Sequence, residues 1–175
     1  MINEIRGYSA SEIEEFVGKG SDKYIERFKT LKKFNWAAAI FRSFWFGYRK
    51  MYIEGVLIAL LESSISNLGE AVLSFFLLQN KILDYSSVLY YCIAYRIAEY
   101  IVRFIIFGFI ADRIYWINIK RRIVYAHMPQ EIRNKKIGLM TFYKTCKSAS
   151  IGGLIAFIII EIVLAFIVGS IITLF

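Results

Sequence analysis

The run IEGVLIALLESSISNLGEAVLSFFLL, residues 53–78, decides the fold expected for this chain. A helix of roughly 25 residues is long enough to cross the ~30 Å hydrocarbon core of a bilayer with some tilt. Two further runs of similar length and composition lie at 87–111 and 151–175. The sequence therefore predicts an all-α integral membrane protein with three transmembrane helices, accompanied by an interfacial aromatic–basic helix and small cytoplasmic helices.

The composition agrees with a membrane protein and excludes several other classes. Of the 175 residues 58% are hydrophobic, and the mean hydropathy is +0.52. Soluble domains contain about 45–50% apolar residues, so an ordinary water-soluble globule is disfavoured. A disordered, collagen-like or disulfide-stapled chain is excluded. We interpret the two cysteines, Cys92 and Cys146, as free thiols that face a reducing compartment.

The positive charge is concentrated beside the apolar runs. The formal net charge is +8, and residues 112–150 carry nine Lys or Arg against two acids. Because Lys and Arg are enriched on the cytoplasmic side of membrane proteins, we expect 1–52 and 112–150 in the cytoplasm and the link 79–86 outside. The N-terminus is then inside and the C-terminus outside. This placement favours anionic headgroups as the partner of the basic residues, and no nucleic-acid binding is expected.

The N-terminal part divides into a polar and an aromatic segment. Residues 1–33 predict a polar cytoplasmic helical segment with two short helices, the first capped by Ser11 with Glu14 and the second by Ser21. Residues 34–52, FNWAAAIFRSFWFGYRKMY, predict an interfacial amphipathic helix, because Trp and Tyr rings favour the headgroup level and Arg and Lys extend outward from the same depth. The expected interfacial anchors are Trp36, Arg42, Trp45, Tyr48, Arg49, Lys50, Tyr115 and Trp116.

The basic region 112–150 is expected to begin as a continuation of the second transmembrane helix beyond the membrane surface. Pro129 interrupts the helical pattern, and an amphipathic helix is predicted for 131–147. Three basic residues just past the interface are expected to contact anionic lipid: Lys120, Arg121 and Arg122.

Ionisable residues inside the predicted spans are the most informative functional feature. A charged side chain that faces lipid costs on the order of 2.5–3.5 kcal/mol on insertion scales, so these side chains are expected to face one another. Their depths, at about 1.5 Å of rise per residue, predict the pairs Glu62 with Arg103 and Glu70 with Arg96. The predicted intramembrane polar network comprises Glu62, Glu70, Arg96, Glu99, Arg103 and Glu161.

Carboxylates outnumber arginines in this network, and two interpretations stay open. The excess acids are either neutral and hydrogen-bonded to neighbours such as Ser63, Ser66 or Asn67, or they mark a proton or cation path. Other chemistry is sparse: His127 is the only histidine, and no nucleotide-loop, serine-hydrolase or zinc-protease motif occurs. We expect no catalytic residue, no metal site and no cofactor.

Three segments carry a family resemblance. The stretches FNWAAAIFRSFWFGYRKMY at 34–52, FVGKGSDKYIERF at 16–28 and FGFIADRIYWINIKRRI at 107–123 resemble the bacterial integral-membrane family catalogued as domain of unknown function 2628. The run YRKMY is the most specific part of a likeness that covers about residues 8–125, and Asp112 stands where such proteins usually have Asn. The resemblance implies a small multi-span protein of the bacterial cytoplasmic (inner) membrane and implies no activity.

These observations favour a non-catalytic membrane subunit or adaptor that docks partner proteins or anionic lipid. The alternative is a homo-oligomeric channel, or an ion- or proton-coupled transporter that uses the intramembrane carboxylates. The expected partners are the lipid bilayer, with anionic headgroups on the cytoplasmic side, and either another protein or a second copy of the chain. An enzyme that acts on lipid is the least favoured interpretation.

Overall fold

The computed structural model of the protein describes residues 4–79 and 85–135, together with 151, 152, 154, 155, 157–159, 162 and 163. These residues are mostly helical, which confirms the predicted all-α class, and those between 151 and 163 are all helical. Up to residue 135 the elements follow one another as β1 (Glu4–Ile5), β2 (Tyr8–Ser9), α1 (Ala10–Val17), α2 (Ser21–Thr30), α3 (Trp36–Phe41), α4 (Ser43–Tyr48), α5 (Tyr52–Gln79), α6 (Tyr85–His127) and α7 (Gln130–Lys135). The two strands form one short antiparallel ladder.

Helices α5 and α6 pack side by side and run antiparallel. Near the link between them, Leu77 of α5 packs with Val88 of α6. At the opposite end of the pair, the Asn118 side chain of α6 donates a hydrogen bond to Glu54 of α5 at 2.9 Å. Among the described residues, α5 is the one helix that is long and apolar enough to cross a membrane.

Helix α6 is much longer than a single membrane span. It runs without interruption from Tyr85 to His127, and its 43 residues measure about 64 Å at ~1.5 Å per residue. The predicted continuation into the basic region is therefore confirmed. The predicted break at Pro129 is also confirmed, because α6 ends before it and α7 begins after it. Residues 136–147 of the predicted amphipathic helix lie outside the described residues.

The ladder, α1 and α2 form an N-terminal module that packs on the second half of α6. Helix α1 buries Ile13 and Val17, and α2 buries Tyr24 and Phe28 at the amphipathic spacing that the sequence indicates. The Phe28 ring contacts the Trp116 ring of α6, with 5.0 Å between the ring centres. The N-terminal module thus shares one hydrophobic core with α6, whereas the sequence suggested a separate polar segment.

The caps of α1 and α2 differ from the predicted ones. The Ser9 backbone N–H, rather than that of Ser11, donates to a carboxylate, Glu12, at 3.1 Å. Gly20 precedes α2 with φ 83°, and Ser21 is the first residue of the helix instead of its cap. Glycine adopts this left-handed conformation at no steric cost, so it closes the tight connection between the two helices where serine would be strained.

The predicted interfacial helix at 34–52 is divided into α3 and α4. Asn35 caps α3, since its side-chain oxygen accepts the Ala38 N–H at 3.1 Å. Arg42 then adopts φ 45°, which ends α3, and its carbonyl accepts the Trp45 N–H as α4 begins. This turn directs Trp45 into the core and the Arg42 side chain towards α5.

The hydrophobic core lies where the N-terminal module, α4 and the second half of α6 meet. Tyr115 is at its centre, with edge-on ring contacts to Tyr24 at 5.2 Å and to Trp45 at 5.7 Å between ring centres. Each such pair contributes about 0.5–1.5 kcal/mol beyond the area that it buries. The core therefore depends on rings from three different elements.

Candidate functional site

The first part of the candidate site is a polar seam between α5 and α6. The α5 members recur every four residues and the α6 members every three or four, so each set lies on one face of its helix. Antiparallel packing places the two faces opposite each other. We define the polar seam as Glu62, Ser66, Glu70, Arg96, Glu99 and Arg103.

The predicted pair of Glu70 and Arg96 is present in the structure. The Arg96 Nε donates to the Glu70 carboxylate at 2.7 Å, and a second guanidinium nitrogen contacts the same oxygen. Both side chains are partly exposed and border a shallow cavity of ≈350 Å³ whose other lining residues include Leu89 and Ile97. Exposed ion pairs contribute little in water, but their attraction increases steeply as the surrounding dielectric falls.

The centre of the seam is organised by Arg103. Its guanidinium contacts the Glu99 carboxylate one helical turn away, and it donates to the Ser66 hydroxyl at 2.7 Å. Ser66 in turn donates to Glu99 at 2.8 Å. Arg103 reaches Glu62 as predicted, but the acceptor is the backbone carbonyl of Glu62, at 2.7 Å, and not the carboxylate.

The carboxylate of Glu62 has a partner that the sequence analysis placed elsewhere. Its Oε1 lies 3.6 Å from Nη1 of Arg42, and the Arg42 guanidinium also lies over the Tyr100 ring, 5.0 Å from the ring centre. Arg42 was expected at the lipid interface, and nothing in the spacing indicates the turn that aims it at α5. Glu161, the remaining member of the predicted network, lies outside the described residues.

The predicted interfacial anchors divide into two groups. Four of them are accessible at the protein surface, as contact with lipid would require. Trp36 is 66% exposed, and Arg42, Tyr48 and Lys50 are partly exposed. The other four are buried inside the protein: Trp45, Arg49, Tyr115 and Trp116. The structure corrects the expectation for the buried group, because an aromatic pattern does not distinguish a ring that meets lipid from one that meets another helix.

Arg49 is enclosed by aromatic rings. Its guanidinium carbon lies 4.2 Å from the ring centre of Tyr24, 5.3 Å from that of Tyr115 and 5.5 Å from that of Tyr48. A cation over a ring face is attracted by about 2 kcal/mol when it is desolvated. Burial raises the pKa of Tyr24 and of Tyr115 above the ordinary value of 10.0, and the nearby Arg49 charge opposes the rise. Both phenols are therefore neutral at physiological pH.

Two of the three predicted lipid contacts lie at the protein surface. Arg121 has a side chain that is 56% exposed and lies 3.8 Å from the Glu54 carboxylate. Lys120 is partly exposed, and its Nζ lies 6.0 Å from the centre of the Trp116 ring. Both side chains retain access to solvent on the outside of α6.

The third predicted lipid contact, Arg122, has a different position. It is 2% exposed, and its Nη2 donates to the backbone carbonyls of Arg49 at 3.4 Å and Lys50 at 3.2 Å. Those carbonyls follow the last turn of α4, where a cation satisfies the negative end of a helix. Arg122 therefore belongs to the core and does not reach a headgroup.

A buried ion pair that the sequence analysis missed joins the N-terminal module to α6. Asp112 is 1% exposed, and its two oxygens accept from Arg27 Nε and Asn35 Nδ2, each at 2.6 Å. The Asn35 backbone N–H also donates to the Gly108 carbonyl at 2.7 Å. The available signal was a lone acid within the apolar stretch FGFIADRIYW, but its partners are 85 and 77 residues away, beyond any spacing rule.

His127 forms a second polar contact between the N-terminal module and α6. Its Nε2 lies 3.2 Å from the Glu12 carboxylate, and its Nδ1 lies 2.9 Å from the Ile123 carbonyl. The two side chains border an open groove of ≈490 Å³ that Tyr8 and Pro129 also line. Within the described residues, no group of three His, Cys, Asp or Glu is placed to hold a metal ion.

Comparison of the chain with family models, curated proteins and solved structures gave no match. A function is therefore proposed from two features of the described residues. One is a seam of charges that meet one another inside the chain. The other is an N-terminal module held on α6 by a buried ion pair.

Proposed function

We propose that this protein is a non-catalytic subunit or adaptor of the bacterial cytoplasmic membrane. Its three spans would be α5, the 87–111 part of α6 and residues 151–175, with the N-terminus inside and the C-terminus outside. The proposal includes membership of the family catalogued as domain of unknown function 2628, on the resemblance of residues 8–125. The protein would present its N-terminal module to partners at the inner membrane surface.

The change in exposure along α6 supports a membrane location. Between Leu89 and Phe109, the outward-facing residues of α6 are mostly large, apolar and exposed. From Ala111 onward the N-terminal module covers one face of the helix, and residues such as Ile119 are fully buried. An extended exposed apolar surface marks contact with lipid or with another protein, and here it becomes sparse beyond the predicted span, where Ile117 and Val124 are the large apolar residues of α6 that stay exposed.

The observation that carries the adaptor assignment is the internal compensation of the seam. Each described carboxylate of the seam meets a guanidinium of the same chain: Glu70 with Arg96, Glu99 with Arg103, and Glu62 with Arg42. Acids on a proton or cation path typically line a water-filled cavity or form relays with one another. The seam charges are therefore best explained as contacts that hold α5 against α6, and the channel or transporter alternative has less support.

An exposed apolar face on α3 and α4 supports contact with the cytoplasmic leaflet. We name it the elbow face and define it as Trp36, Ile40, Phe41 and Phe44, all exposed on the same two short helices. Two basic residues of the same segment, Arg42 and Lys50, are partly exposed. Amphipathic helices with this composition lie in the interface plane with the apolar side in the acyl boundary, which would fix the orientation of the N-terminal module.

Ion flux in proteoliposomes tests the adaptor against the conducting alternative. We expect the purified full-length chain to give no proton, sodium or potassium flux above that of protein-free vesicles. A flux that Glu70→Gln abolishes and Glu131→Gln preserves would overturn the proposal, because Glu131 is an exposed acid outside the seam. If both variants give the same flux as the unchanged chain, that flux is leakage and does not use the seam acids. Such a result agrees with the adaptor assignment.

Reporter fusions test the topology separately. We expect a C-terminal alkaline phosphatase fusion to be active and a C-terminal green fluorescent protein fusion to be dark, since only the first matures outside the cytoplasm. The reverse result would overturn the three-span arrangement.

Native mass spectrometry of the protein extracted in mild detergent tests the adaptor role. We expect a complex that contains a different protein. A homo-oligomer with no other protein bound would contradict the adaptor role.

A further inference from the structure

One outward face of the α5–α6 pair combines an apolar ridge with the exposed ion pair of the polar seam. The ridge consists of four α6 residues at four-residue intervals, each about half exposed: Leu89, Ile93, Ile97 and Ile101. Glu70 of α5 and Arg96 of α6 lie beside the ridge, and all six residues border the shallow cavity of ≈350 Å³. We name these six residues the ridge face. It presents a ridge, a depression, one cation and one anion on a single surface.

The ion pair of the ridge face lies too deep in the proposed membrane to meet headgroups. Arg96 is three residues from the centre of the 87–111 span, or about 4.5 Å at ~1.5 Å per residue, whereas hydrocarbon extends ~15 Å to each side of the midplane. The Arg96 side chain is 46% exposed and that of Glu70 is 34% exposed. Charged side chains at such depth face other protein groups instead of lipid. The ridge face therefore requires a cover made of protein.

The two charges make the ridge face complementary to a copy of itself. Glu70 and Arg96 lie at one depth, because Arg96 Nε donates to the Glu70 carboxylate at 2.7 Å. A two-fold axis along the membrane normal keeps every residue at its own depth. It therefore sets Arg96 of one copy level with Glu70 of the other, and the four charges can alternate in sign around the axis. Closed dimers are built in this way, from one patch that is used twice.

The apolar part of the ridge face supports the same occupant. The ridge borders the cavity, so a copy turned by 180° directs its own ridge towards the cavity of the first. Close packing of this kind drives helix association in lipid, where the hydrophobic effect between helices is absent. A lipid chain fills such a cavity but offers no polar neighbour to Glu70 or Arg96. A different protein would have to supply both signs of charge at this depth, which a second copy does by construction.

We propose that the ridge face is the contact between two copies of this chain, which lie parallel and are related by a two-fold axis along the membrane normal. This inference rests on the proposed membrane location, because exposure of the ion pair is costly only in lipid. It makes the proposed membrane subunit a dimer that binds its partner protein through another surface. The centre of the seam, formed by Ser66, Glu99 and Arg103, stays within each copy.

Cysteine cross-linking in native membranes tests the dimer. In the full chain carrying Cys92→Ala and Cys146→Ala, we expect Ile97→Cys to form disulfide-linked dimers under copper phenanthroline. The reason is that a two-fold axis through the ridge brings the same residue of both copies together, within the ~7 Å limit between the Cα atoms of a disulfide.

Two further ridge positions and one control complete this experiment. Ile93→Cys and Ile101→Cys, about one turn to either side, cover the case in which Ile97→Cys is not inserted. The matched control is Leu68→Cys. Leu68 has similar depth and is 67% exposed, but it lies about half a turn around α5 from Glu70. It should give no dimer.

Charge exchange between chains tests the ion pairs separately. Glu70→Lys leaves two cations on the ridge face and Arg96→Glu leaves two anions, so each variant alone should lose most of the dimer that Ile97→Cys forms. When the two variants are co-expressed with tags of different size, cross-linked heterodimers should exceed both homodimers, because opposite charges then face each other. Heterodimers that do not exceed the homodimers would overturn the proposed contact.

The outcomes separate this inference from the proposed function. Dimers from the ridge positions and none from the control support the two-fold contact. Dimers from all positions alike, dimers from none, or a ridge cysteine linked to a different protein would overturn it. A membrane-impermeant maleimide checks the location. If it labels Ile97→Cys in intact cells or in inverted vesicles, the membrane proposal itself fails, whereas protection without cross-linking overturns only the dimer.

Discussion

Replacing Asp112 with alanine should strongly destabilise the protein, because it removes a buried acceptor that Arg27 and Asn35 share. The carboxylate is 1% exposed, and it accepts one hydrogen bond from Arg27 and one from Asn35. Arg27, whose side chain is only 11% exposed, would lose its counter-ion and keep its charge. Removing one partner of a buried pair costs about 3–5 kcal/mol, since the remaining charge is left uncompensated.

The assay is denaturant unfolding of the detergent-solubilised protein, followed by tryptophan fluorescence. Trp45 and Trp116 are buried in the affected core and report its loss, whereas Trp36 is exposed in the folded protein. A loss of about 3–5 kcal/mol lowers the ratio of folded to unfolded protein roughly 100- to 4,000-fold, at ~1.4 kcal/mol per tenfold. The transition should therefore shift far towards lower denaturant.

Arg113→Ala is the matched control, because Arg113 is the exposed neighbour of Asp112. Surface substitutions of this kind change stability by about 0.5 kcal/mol or less. If the free energies of unfolding of the Asp112→Ala and Arg113→Ala variants differ by no more than about 0.5 kcal/mol, the buried pair does not stabilise the protein. The double variant Arg27→Ala with Asp112→Ala supplies a further test: its cost should be well below the sum of the single costs, and additive costs would show that the two residues do not interact.

Two further predictions concern packing and pH. Gly47→Ala should lower stability by about 1–3 kcal/mol through overpacking, since a Cβ there would overlap the base of the buried Phe157 side chain. Gly152→Ala, where a Cβ meets nothing within 4 Å, should be nearly neutral in the same denaturant unfolding experiment; equal shifts in the two variants would contradict the close contact between Gly47 and Phe157. Burial raises the pKa of the Tyr24 phenol above 10.0 in the folded protein, so the unfolded state loses the phenolic proton at a lower pH than the folded state. The contribution of the neutral phenol to the free energy of unfolding should therefore be fully present below pH 10 and fall as the pH rises further. Tyr24→Phe should make this alkaline decline shallower, and an unchanged slope would refute the assignment.

The sequence was sufficient wherever a structural feature depends on local pattern. The helical class, the break at Pro129 and the contact between Glu70 and Arg96 follow from apolar periodicity, from proline chemistry and from counting depth along two adjacent helices. Each of these inferences uses residues close in sequence or helices joined by a short link. Such features are fixed before long-range packing is known.

The sequence was insufficient wherever a side chain's surroundings depend on a distant segment. Arg42 reaches Glu62 because its backbone turns at φ 45°, and Arg122 is buried because the carbonyls that follow α4 lie beside it. Asp112 meets Arg27 across 85 residues. An aromatic–basic composition predicts amphipathic surroundings. It does not say whether the apolar part is lipid or protein, because both bury an aromatic ring equally well. The prediction for Trp45 and Tyr115 was therefore wrong: both rings pack inside the protein.

The unbroken course of α6 makes it a lever. Its first half contacts α5 along the seam, and its second half carries the N-terminal module through Asp112 and His127. A rod of about 64 Å that tilts by about 10° at one end displaces its other end by roughly 11 Å. A tilt of α6 that begins at the seam would therefore reach the N-terminal module as a larger displacement, because α6 has no break between Tyr85 and His127 at which the motion could be absorbed.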